Sequence, residues 1–162
     1  MNTFKTALIG AGLAASLPAM AATDLTTTFQ ARIVILNACI ALSASDLDFG
    51  SRGVLSANID QTSTINITCT SGAPYTVKLN AGANAGTTND VNTRRMKSSA
   101  TNYVSYNLYS DSAGGTTWDN TTGVTRSGTG SVENITVYGR VPPQTTPPAD
   151  TYTDTVTVTL TY

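Results

Sequence analysis

Only a few side chains in this sequence have the types and spacing for chemistry, and they favour a covalent cross-link over catalysis. Cys39 and Cys69 are the two cysteines, and there is no histidine. Two isolated cysteines without histidine cannot complete a zinc tetrahedron, and a redox pair would be spaced C-x-x-C. In an oxidising compartment the pair reads as one disulfide, closing a loop of about 30 residues and adding roughly 3–4 kcal/mol in the chain-entropy model. The missing histidine removes the usual general base and every Ser-His-Asp or Cys-His arrangement. No G-x-S-x-G, H-E-x-x-H or phosphate-cradling glycine loop occurs. Asp46 and Asp48 have the spacing of a calcium loop, but no further oxygen ligands or bidentate Glu follow them, so they read as solvated charges. No catalytic residue, metal site or cofactor is expected.

The elements that must position the cysteines are short strands. Of the 162 residues only 12% are charged, for a net charge of −1, which leaves no basic surface for nucleic acid. Thr, Ser, Asn, Gly and Val are plentiful, a composition that favours strands and turns over helices. Apolar residues alternate with polar ones in several rows: Phe29-Ala31-Ile33-Ile35, Ile65-Ile67-Cys69, Tyr75-Val77-Leu79, Val104-Tyr106-Leu108, Ile135-Val137-Gly139 and Val156-Val158-Leu160-Tyr162. Turn residues separate them, among them Gly72-Ala73-Pro74, Gly114-Gly115, Gly128-Thr129-Gly130 and the run from Pro142 to Pro148. This pattern predicts one antiparallel β-sandwich of immunoglobulin type.

The start of the chain reads as an export signal. Lys5 precedes the short apolar run Ala7 to Leu17, and Ala19-Met20-Ala21 has the A-x-A form of a cleavage site. Residues 1–21 are therefore expected to be removed, since the run is too short for a bilayer span of about 20 residues. The two ends of the mature chain suggest a further expectation. The last alternating row reaches the final residue, Tyr162, and the first row, Phe29 to Ile35, precedes the cysteine-bearing region. Such a chain could donate its first row to a neighbour's sandwich, or the row could be the first strand of a complete monomer. The pattern alone leaves both open.

Other candidates have bland readings. Asn66-Ile67-Thr68, Asn120-Thr121-Thr122 and Asn134-Ile135-Thr136 match the glycosylation triplet, as a Thr- and Asn-rich chain will by chance. Trp118 with Tyr103, Tyr106, Tyr109 and Tyr138 could form a sugar platform, although Tyr106 and Tyr138 fit core or cross-strand packing better. Arg94, Arg95 and Lys97 form a basic cluster that reads as a solvated turn or an inter-subunit contact.

A set of ordered blocks runs through the mature chain: Asn37-Ala38-Cys39, Leu47-Asp48-Phe49-Gly50, Ile65-Asn66-Ile67-Thr68-Cys69, Tyr75 to Gly82, Arg95-Met96, Val104 to Asp111, Trp118, Val137-Tyr138-Gly139-Arg140 and Tyr152 to Tyr162. In order and spacing they resemble the spore coat protein U family, whose best understood members are subunits of archaic (Csu-type) chaperone–usher pili. Asp119-Asn120 after Trp118 departs from the family's usual Gly, and Asp150 departs from its common Pro-Ala-Gly, both in expected turns.

The resemblance implies an all-β, incomplete immunoglobulin-like sandwich that lacks its C-terminal strand and is completed by a donor strand. Residues 22–36 would be the donor segment, with Phe29, Ala31, Ile33 and Ile35 as its inserted row. Residues 37–162 would be the pilin domain, its acceptor groove bordered by Val156, Val158, Leu160 and Tyr162. A periplasmic chaperone would hold the subunit, and an outer-membrane usher would exchange it into a polymer of identical or related subunits. Adhesion and biofilm formation at an extracellular, cell-surface fimbrium would follow. The alternative is a secreted or spore- or cell-coat sandwich acting as a binding module.

Overall fold

The computed structural model describes Met20 and residues 22–162, the side chain of Ala41 excepted. Apart from Met20, the expected export signal lies outside the described residues. Ile35–Tyr162 forms one compact unit. The described residues before Ile35 belong to a separate unit and carry no regular secondary structure.

The expected alternation becomes strands where the rows have partners. Nine strands occur among the described residues: β1 (Cys39–Ala44), β2 (Ile59–Cys69), β3 (Pro74–Leu79), β4 (Arg95–Lys97), β5 (Tyr103–Ser105), β6 (Asn107–Tyr109), β7 (Val124–Ser127), β8 (Val132–Val141) and β9 (Val158–Thr161). One sheet has the order β1-β2-β8-β6, a second β7-β3-β9, and β4 pairs with β5, with Lys97 of β4 also bridged to Thr153. Every pairing is antiparallel. The sole helical element among the described residues is a 3-10 turn, Val91–Thr93. None of the described helices is long and apolar enough to cross a membrane.

Period-two burial makes the core. Ile65, Ile67 and Cys69 point inward from β2, Tyr75, Val77 and Leu79 from β3, and Ile135, Val137 and Val141 from β8. Trp118 fills the centre with none of its surface exposed, and its indole N–H donates to the Val77 carbonyl at 2.9 Å. The sugar-platform reading thus fails for Trp118, and Tyr106 and Tyr109 are buried as well. W118A is expected to cost about 3–5 kcal/mol, read as a lowered urea midpoint, because it empties the middle of the core.

Gly139 occupies an inward position of β8. A Cβ there would run into the side chains of Leu47 and Phe49, which cross over the strand. The glycine is what lets those two side chains approach the sheet.

Two rows depart from the expected pattern. Val104-Tyr106-Leu108 is not one strand: β5 pairs with β4, β6 pairs with β8, and the chain changes sheets at Tyr106. The alternation survives because both halves bury the same face. The final row enters the ladder only from Val158, since the Asn80 side chain interrupts it by accepting from the Thr157 and Gly82 amides. Phe29 to Ile35 makes no ladder at all, and Phe29 and Ile33 are 90% and 80% exposed.

Candidate functional site: an open groove beside the last strand

β9 closes one edge of its sheet and pairs only with β3. The residues leading into it and along it alternate without interruption. Tyr152, Asp154, Val156, Val158 and Leu160 are half-buried while the threonines between them are exposed. None of the five reaches full burial, as expected of a row covered on one flank only. β1 is the edge of the opposite sheet, and Leu42 stands opposite the buried Ile67 yet remains 43% exposed.

A cleft of about 530 Å³ opens beside this row. One lip is the segment Ala44 to Phe49, the other Thr151 to Asp154 with Val156 and Val158, and Ile65, Leu79, Leu108 and Val137 are among the lining residues. A second cleft of about 560 Å³ shares Leu47, Asp48, Phe49, Met96, Thr151 and Tyr152 with the first and reaches Leu55, Ile59 and Val141. The two form one elongated groove whose lining mixes apolar and polar surface. Of the expected groove row, Val156 and Val158 line it. Leu160 packs on the core without lining either cleft, and Tyr162 is 62% exposed.

Polar contacts hold the groove's second lip in place. The Asp154 carboxylate accepts from the Tyr106 hydroxyl at 2.7 Å and from the backbone and side-chain N–H groups of Asn84 at 3.0 and 3.1 Å. Burial, and then the bond to Asp154, raise the Tyr106 phenol far above its ordinary pKa, so it remains a donor. A Cβ at Gly82, which has φ of +81°, would strike this carboxylate. Only a glycine serves there.

Arg94 corrects the reading of the basic cluster. It is 1% exposed, and its guanidinium donates to the carbonyls of Leu79, Asn80 and Trp118 at 2.8–3.1 Å. Burial lowers its pKa, with the nearby Tyr106, Asp154 and Asp119 opposing that shift. Arg95 lies over the Tyr103 ring at 3.8 Å and donates to the Asn84 carbonyl. Nothing in the local sequence distinguishes Arg94 from its solvated neighbours. R94A is expected to cost about 3–5 kcal/mol in urea denaturation, because it strands three carbonyls, two of them in buried contacts, and opens a cavity. R94K should recover little, since an ammonium cannot span the same fork of acceptors.

The two departures from the family pattern organise turns. Asp119 accepts from the amides of Thr121, Thr122 and Gly123, and these bonds, the one from Gly123 foremost, hold its pKa below the ordinary carboxylate value. A depressed folded-state pKa contributes stability above the unfolded value near 4 and loses it as pH falls through the folded value. The urea midpoint of D119A should therefore trail the parent at pH 7 and converge with it well below pH 4. Asp150 accepts from the Ser99 hydroxyl and the Thr151 amide.

Cys39 and Cys69 face each other across β1 and β2 and are joined by a disulfide. Thr70 adds to this anchor, donating to the Leu36 carbonyl and accepting from the Ala38 amide. No group of three or more potential metal ligands occurs among the described residues.

An antiparallel sandwich with an open groove beside its edge strand defines the class: an all-β, immunoglobulin-like protein. A chain in the crystal structure of the CsuC–CsuE chaperone–tip adhesion subunit pre-assembly complex, from archaic chaperone–usher Csu pili of Acinetobacter baumannii, has a similar fold. The TM-score is 0.58 at 26% identity, over 79% of the present chain and 40% of that one. The present chain thus spans less than half the length of that chain. The model of the Spore Coat Protein U domain matches residues 25–159, and the chain belongs to this family. Protein U of Myxococcus xanthus is 34% identical over an alignment of 180 residues that takes in all of both chains.

Proposed function

We propose that this protein is a structural subunit of a surface pilus that polymerises by donor-strand exchange. The observation that carries the reading is the elongated groove beside the unpaired edge of β9, lined by the half-buried Val156 and Val158. Such a groove takes one added strand, which pairs with the free edge through its backbone and fills the cleft with alternate side chains. Residues 22–36 of the next subunit supply that strand, and residues 37–162 form the sandwich that receives it. Phe29, Ile33 and Ile35, which are 69–90% exposed, with Ala31 between them, form the inserted row. Burying each of the three large side chains contributes about 1.5–3 kcal/mol before ordering costs.

A subunit with an open groove needs cover before assembly. The fold's likeness to a chain from a chaperone–subunit complex supports a periplasmic chaperone as that cover, and an outer-membrane usher as the site of exchange. The product is an extracellular, cell-surface fimbrium of identical or related subunits, serving adhesion and biofilm formation. The match to the Spore Coat Protein U domain favours a second reading, a coat layer built from the same fold. Electron microscopy of cells with and without the gene tests the choice. Fibres that vanish with the gene support the pilus, whereas a surface layer without fibres supports the coat.

A further inference from the structure

Charge is unevenly distributed around the groove. Four of the ten acidic residues line its two clefts, Asp46, Asp48, Asp150 and Asp154, against one of the nine basic residues, Arg52. Asp154 is occupied by Tyr106 and Asn84, and Asp150 by Ser99 and Thr151. The lip residues are different. Leu47 and Phe49 turn inward, so the period of two leaves Asp46 and Asp48 exposed on the outer side of the lip. Asp48 accepts only from the Gly50 amide, and Asp46 takes part in no hydrogen bond or ion pair among the described residues.

The proposed donor segment carries a matching charge. Arg32 is the one basic residue in 22–36 and is exposed, with no hydrogen bond or ion pair among the described residues. With Ala31 and Ile33 turned into the groove, the same period of two turns Arg32 outward, onto the face where the lip carries Asp46 and Asp48. We infer that Arg32 of an incoming copy is read by Asp46 and Asp48 of the subunit that receives it. The ion pair fixes the position of the donor strand and helps a subunit choose its own kind. This inference rests on the donor-strand reading and adds a partner contact to it.

Two physical consequences follow. A rim pair of this kind acts mainly on the rate of encounter and on discrimination, less on final stability. It also favours one strand polarity. Asp24 lies eight residues before Arg32, about 26 Å away in an extended strand. A reversed arm would carry Asp24, not Arg32, toward the acidic lip, and like charges would oppose each other.

The test uses the full-length subunit purified with its periplasmic chaperone, and synthetic peptides of residues 22–36 as donors. At low ionic strength the R32E peptide is expected to enter the groove about tenfold more slowly than the parent peptide, the difference fading in high salt. A D46K/D48K subunit should reverse the preference and take the R32E peptide faster. The comparison of peptides on the parent subunit uses no variant chain, so misfolding cannot mask it. Equal entry rates for parent and R32E peptides, with an I33D peptide excluded, would overturn the ion pair and leave donor-strand exchange standing. Entry of none of the peptides, or equal entry of all three, would remove both.

Discussion

Cells carrying I33D should display no fibres and should accumulate the subunit as a chaperone-bound monomer. The substitution acts twice on the same contact. It removes an apolar side chain whose burial contributes about 1.5–3 kcal/mol. It also asks the groove to accept a carboxylate among Ile65, Leu79, Leu108 and Val137, where no cation lines the first cleft. Burying an unpaired charge costs several kcal/mol more, so exchange should slow by at least about a thousandfold. The fold of the variant subunit should be unaffected, because Ile33 is 80% exposed and lies before the first strand. Q30D is the control. It adds the same charge at a position of opposite parity, on the outward face shared with Arg32, so it should slow assembly modestly at low salt and should still give fibres. Fibres of normal length from I33D would refute the donor assignment.

The parts of this molecule that the sequence made legible are those governed by a short repeat. Alternation at Ile65-Ile67-Cys69, Tyr75-Val77-Leu79 and Ile135-Val137 predicts inward faces, and those side chains are the core. What alternation cannot carry is which sheet a strand joins. Val104 to Leu108 reads as one strand, yet a sheet change at Tyr106 preserves its parity and so leaves no trace in the pattern. Nor can a local pattern show that the Asn80 side chain displaces ladder bonds beside Thr157, a contact 77 residues away in sequence.

Arg94 was illegible for a different reason. Its neighbours Arg95 and Lys97 are partly exposed, and a cluster of three cations ordinarily signals solvent. Its burial depends on carbonyls from the end of β3 and from Trp118, which converge only in the folded sandwich. The groove itself shows the same division. Val156 and Val158 on one wall were visible as a row, whereas the opposite lip had to be found in three dimensions. The inward pair Leu47 and Phe49 is too short a row to read as an element, and Gly139 beneath it has no side chain to announce the packing it permits.

That lip also explains why the self-complemented chain should behave differently from its parent. A copy of residues 23–36 fused after Tyr162 through a short linker places a donor strand at millimolar effective concentration beside the groove. The fused chain should be monomeric at all concentrations, should no longer need the chaperone for solubility, and should unfold at a clearly higher urea concentration than the parent. Its native first arm remains free, but with every groove filled from within, no neighbour can accept that arm and polymerisation stops. Insertion should also bury Leu42 and complete the burial of Val156 and Val158, measurable as slowed amide exchange along β9. The decisive comparison is the same fusion with I33D in the appended copy alone. It keeps length, linker and composition nearly constant, so any gain that survives would come from the extension and not from groove filling. Equal urea midpoints for the two fusions, or a parent chain that is already a stable, non-polymerising monomer without chaperone, would mean that the groove is not an acceptor for this strand.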